Sequence, residues 1–209
     1  MIARLWFAFG TALALATITG HVRAHSFNVG FMAPLSGPNA HQGQQALDGF
    51  LFATRERDGH AFEESDGHLG GLDSYVIRID SGGGIDAVRG QLDELRRGEE
   101  LVFLTGVSVP ETLATAGVML DHSQSILVDP LDSVVYRSAA SAPESLVTMD
   151  GVPFPAVFRE AYGYDPDVNA IGGYIAARFI DAAVSAVQGQ FTQRDAVQRA
   201  LAQARENLP

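Results

Sequence analysis

Residues 27–49, FNVGFMAPLSGPNAHQGQQALDG, read as a short strand, a turn and the start of a helix. Residues 28–32 make the strand, and Pro34, Ser36, Gly37 and Pro38 punctuate the chain after it. Leu47, Leu51 and Thr54 then fall on one helical face with Ala46 and Phe50 beside them. A polar turn is thereby set at the carboxyl end of a strand. In an open α/β sheet the ligand crevice forms there, and helix N-termini supply N–H groups to it.

The same alternation continues along the chain. Residues 75–79 read as a second strand, followed by a helix whose buried stripe is Ile85, Val88, Leu92 and Leu95. Residues 101–104 and 126–128 are further strands, separated by a helix from Pro110 that turns Leu113, Ala116, Gly117 and Leu120 inward. Strands alternating with helices predict the α/β class: an open, mostly parallel sheet with helices on both faces. From Asp129 to about Pro155 the period disappears, and the apolar run 146–149 is the one place there for an edge strand. Helical pattern resumes at 154–162, continues through 170–187, and ends with a helix after Thr192, where Thr192 and Asp195 make a loose capping pair.

Composition narrows the function. The 209 residues are 46% hydrophobic, ample for one domain with a core. A net charge of -11 lacks the basic footprint of a nucleic-acid binder, so nucleic acid is not an expected partner. With no cysteine there are no thiol nucleophiles, thiolate metal sites or disulfides. All 14 basic residues are arginine, which removes the lysine that a Walker A loop or a Schiff-base enzyme needs. The first 24 residues have the form of a signal peptide: Arg4, an apolar run over 5–18, and Val22-Arg23-Ala24 as a small-x-small cleavage site. Residues 25–209 are then the exported domain, and the periplasm its expected location.

Three motifs with catalytic or ligand-binding overtones are weak on inspection. Ser81-Gly82-Gly83-Gly84 stands where a phosphate loop would, but lacks the G-x-G-x-x-G spacing and reads better as a flexible turn. Gly106-x-Ser108-x-Pro110 imitates a nucleophile elbow, yet His122 is the only histidine after it and lies near the far end of the next helix. Between Asp58 and His68 two histidines stand among four carboxylates, in a spacing that matches no closed metal site. No catalytic residue, metal or cofactor is expected.

In order and spacing the chain resembles the type I periplasmic solute-binding proteins of ABC transporters, in particular the branched-chain amino acid and amide class. The APLSGP turn stands at residues 33–38, the acidic end of strand two at Asp80, the Ser-bearing turn at Gly106-Val107-Ser108, and the fourth strand at 126–130. A second block, FREAYGYDPDVNAIGGYIAARFIDAA from Phe158, looks like a late family segment in which the chain returns to the first lobe. Members of that family are about twice this length. The resemblance therefore implies a single first lobe, with a connector over 138–153 where the second lobe is missing.

Carried over position by position, the resemblance implies ligand contacts at Ser36 and Gln42 on the first turn and helix, at Ser108, and at Leu131, Asp132 and Ser133. Ser133 stands where a Thr or Ser hydroxyl is usual; Leu131 and Asp132 replace small residues, and Gln42 a position that is Trp in some members. Asp132 would repel a ligand carboxylate but could pair with an amine. The same residues also suit ordinary turn and cap roles. The implied function is non-enzymatic: weak binding of an amino acid, amide or similar small solute, in partnership with the membrane subunits of an ABC transporter, a second copy or another protein forming the missing wall. The alternative is an envelope protein-interaction module built on a degenerate lobe.

Overall fold

The computed structural model describes residues 25–56, 64–98, 100–107, 116, 125–129, 139, 141 and 143–207. Its centre is β1 (Ser26–Ala33), whose side chains alternate between two packed faces. Val29, Phe31 and Ala33 enter one cluster, and Met32 enters the other. A strand buried on both faces belongs in the middle of a parallel sheet. β1 pairs in parallel with β3 (Leu72–Asp80) on one side and with β4 (Leu101–Gly106) on the other. β5 (Ile126–Val128) continues the sheet beyond β4, with the Thr105 hydroxyl donating to the Val128 carbonyl at 2.7 Å. The strand order is β2-β3-β1-β4-β5, where β2 (His68–Leu69) is a two-residue antiparallel partner of β3.

Helices cover both faces, as the alternation predicts. α1 (Ala40–Arg55) and α4 (Val168–Val187) pack on the Phe31 side with α3 (Phe154–Tyr162) and α5 (Arg194–Asn207). α2 (Ile85–Gly98) lies on the Met32 side, where Val88 and Leu92 are fully buried. Of the helix expected from Pro110, only Ala116 is among the described residues, and it is buried in the α2 cluster. α4 is long and apolar enough to cross a membrane by length and composition, but two thirds of that span is buried here as the core helix. It meets α1 at backbone contact: a Cβ on Gly173 would lie 1.9 Å from the Ala46 carbonyl oxygen, and one on Gly49 2.0 Å from that of Ala170.

Three readings are corrected. The apolar run 146–149 does not join the sheet: Val147 bridges Pro153 across a turn, with the Thr148 N–H donating to Val152 at 2.8 Å. Gln193, not Thr192, opens α5, its carbonyl accepting from the Val197 N–H at 3.1 Å. The third concerns the acidic segment before β3, whose composition alone reads as a solvated loop: Asp66 accepts from the Val76 N–H at 2.8 Å and His68 pairs with Asp73 at 2.9 Å. Among the described residues no group of histidines and carboxylates is placed to hold a metal.

Candidate functional site

After β1 the chain moves outward to β3, then crosses back over β1 to β4, so the order reverses between β1 and β4. That reversal opens a crevice at the carboxyl ends of the strands. A cleft of about 360 Å³ lies there. Pro34, Ser36 and Pro38 come from the β1 turn, Asn39 and Gln42 from the start of α1. Ser81, Gly82 and Gly84 follow β3, Val107 follows β4, and Asn169 reaches in from the first turn of α4.

The turns that line the cleft are tied together by Asp80, the last residue of β3. One of its carboxylate oxygens, Oδ1, accepts from the N–H groups of Leu35 at 2.8 Å, Ser36 at 3.1 Å and Gly82 at 2.8 Å, tying the β1 turn to the β3 turn. Burial alone would raise this carboxyl, but the Ser36 hydroxyl and the three backbone N–H groups outweigh it and hold it below its ordinary value. Gln91 from α2 locks the same strand end, receiving the Asp80 N–H and donating to the Asp80 carbonyl, both at 2.8 Å. The two turns touch so closely that a Cβ on Gly82 would lie 2.2 Å from the Ser36 carbonyl oxygen. Gly106, at φ +153, presses the end of β4 against the Met32 carbonyl in a conformation only glycine adopts freely.

Several of the helix amides expected to line such a crevice are already engaged. At α1 the N–H of Ala40 donates to Gly37, and those of Gln42 and Gly43 to Asn39. At α4 the Asp167 side chain caps the N–H groups of Asn169 and Ala170 at 2.7 and 3.1 Å. The polar side chains the cleft offers a ligand are hydroxyls and carboxamides, and none of the described lining residues is charged. Asn39 and Asn169 were missed by the sequence reading: Asn39 resembles a helix cap, though its side chain makes no capping bond, and Asn169 lies 127 positions from Gln42.

Of the residues implied by resemblance, Ser36 and Gln42 are brought together on the cleft wall. Ser108, which follows the lining residue Val107, lies outside the described residues, as do Leu131, Asp132 and Ser133.

No protein-family model matches the chain, and no curated protein matches it in sequence. Solved structures do match in fold. A leucine-binding protein from Thermotoga maritima superposes with a TM-score of 0.58 at 10% identity, over 84% of this chain and 87% of that one. An ABC-transporter solute-binding protein from R. palustris, solved with benzoate, gives 0.57 at 14% identity over 85% of each chain. An amino acid ABC transporter substrate-binding protein from Pseudomonas fluorescens gives 0.57 at 10% identity, over 86% and 83%. At these identities the likeness establishes the fold: the α/β architecture of the solute-binding proteins that the residue pattern resembles.

Proposed function

We propose that this chain is a solute-binding-protein-like component of an ABC transport system, which holds an amino acid, amide or similar small solute in the cleft at the carboxyl ends of β1, β3 and β4. The position of that cleft carries the reading: it lies at the reversal point of a sheet whose fold is shared with binding proteins for leucine and benzoate. Binding, not catalysis, is the proposed activity, because the described wall presents neutral polar groups and lacks any nucleophile paired with a base. Residues 1–24 act as a signal peptide and direct residues 25–209 to the periplasm. Residues 138–153 join what remains where a second lobe would be inserted, and the open side of the cleft is closed by a second copy or by the transporter's membrane subunits.

A thermal-melt screen against amino acids, amides and small carboxylates tests the proposal. A ligand present at about 100 times its Kd adds about 2.7 kcal/mol of stability, a shift of several degrees. Saturable shifts lost in Gln42→Ala and in Ser133→Ala support a solute site that joins the α1 wall to the segment that follows β5. A cooperative melt indifferent to every compound refutes it.

A further inference from the structure

The carboxamide of Asn169 is oriented by its own helix cap. Asp167 spends one carboxylate oxygen, Oδ1, on the N–H groups of Asn169 and Ala170. The other, Oδ2, faces the Asn169 side-chain nitrogen at 3.0 Å. A carboxylate can only accept, so the NH₂ end of Asn169 must be the end turned to Asp167. Asn169 keeps Oδ1 as its acceptor, and the second N–H of the same NH₂, to give the cleft it lines. Asp167 is held in turn, its N–H donating to Gln45 Oε1 at 3.1 Å, and Gln45 is buried in α1. The acceptor is thus fixed by two successive hydrogen bonds, with a carboxylate behind it and no cation among the described lining residues to offset it.

We infer that Asn169 is a specificity-determining residue, which presents a fixed hydrogen-bond acceptor on the α4 side of the cleft and selects solutes that bring an N–H donor to that side. This rests on the reading of the cleft as a solute site. A site built to accept from a donor rejects the analogue without one, because its own polar group is then left unpaired. A second acceptor brought against Asn169 Oδ1, such as a ligand carboxylate, is repelled as well. Gln42 of α1 also lines the cleft and its carboxamide can donate, whereas the Ser36 hydroxyl proton is spent on Asp80, so a ligand carbonyl or carboxylate is oriented toward Gln42 and its amine toward Asn169.

The test is an NMR titration of the full chain with three probes of one carbon skeleton: L-leucinamide, L-leucine and 4-methylpentanoate, which lacks the amine. Backbone resonances of Ser36 and Gln42 report occupancy of the cleft. The expected result is leucinamide and leucine binding about tenfold or more tighter than 4-methylpentanoate. In Asn169→Leu that ratio falls toward one while 4-methylpentanoate affinity is kept, and Asn169→Ala, a smaller change, gives the same fall. Probes that move the Ser36 and Gln42 resonances with a ratio unchanged in both variants overturn the role of Asn169 and leave the solute site standing. If no probe moves those resonances, the solute site and this inference fall together.

Discussion

Asp80 and Glu56 show how two carboxylates of one chain are driven in opposite directions by their surroundings. Asp80 gathers three turn amides on one oxygen and is held below its ordinary value. Its contribution to stability is therefore present above the unfolded value of about 3.9 and is lost as pH falls through the lower folded value. Asp80→Asn keeps an acceptor oxygen but removes the charge, at a cost of about 1 kcal/mol for a partly solvated group at neutral pH. Urea melts should show that gap at pH 7 and its narrowing as pH falls below the unfolded value of about 3.9; a gap with no pH dependence in acid would mean that Asp80 acts through shape rather than charge. Glu56, at the end of α1, is pushed up by burial. The Met149 N–H, the Tyr174 hydroxyl and the Arg178 guanidinium pull it down without cancelling that rise, and Asp150 adds to it. Its favourable contribution is present below the ordinary glutamate value and is lost as pH rises through the folded one. Glu56→Gln, which can still accept from Met149 and Tyr174, should thus gain on the wild type as pH rises above the ordinary glutamate value of about 4.3. The two variants are expected to diverge in opposite directions over one pH series.

At the scale of elements, the contact that decides the packing of α1 on α4 is made by backbone. Alanine favours a helix over glycine by about 1 kcal/mol, so propensity alone makes Gly173→Ala stabilising. The added Cβ would stand 1.9 Å from the Ala46 carbonyl oxygen, and separating two helices in a packed core costs about 3 kcal/mol. The net expectation is a loss of about 2 kcal/mol by denaturant unfolding, and an unchanged or raised midpoint would show that the crossing has slack. This contact also marks where sequence reading stops. The strand and helix cores were legible because each carries its own period: the Ile85, Val88, Leu92, Leu95 stripe and the short run at 126–128 need no tertiary information. Gly49 and Gly173 have no period, and their meaning appears only when two helices that bring together residues 124 positions apart touch. β2 is two residues long, too short for any alternation, and exists because the chain turns back onto β3. The cleft was half legible for the same reason. Ser36 and Gln42 sit in the local strand-turn-helix signal, whereas Asn169 arrives from the far end of the chain.

For the whole molecule, the affinity turns on whether the cleft has one wall or two. A solute enclosed between two lobes at micromolar Kd gains about -8 kcal/mol, and a wall supplying half of that leaves about -4, which is millimolar. The cleft of about 360 Å³ lies at the low end of small-molecule sites and is walled by neutral side chains, while several of its main-chain amides are engaged by Asp80, Asn39 and Asp167. Among the described lining residues nothing would compensate for the lack of a second wall. The isolated chain at low micromolar concentration is therefore expected to bind its best solute with a Kd of about a millimolar by calorimetry or NMR. If a second copy supplies the other wall, ligand binding and self-association are linked. The apparent Kd must then tighten as protein concentration rises, and the solute must raise the dimer fraction in sedimentation by the same coupling factor. An affinity that stays millimolar at every protein concentration removes the second copy and leaves the membrane subunits as the closing wall. In that case, tight capture appears only when the chain is titrated in their presence.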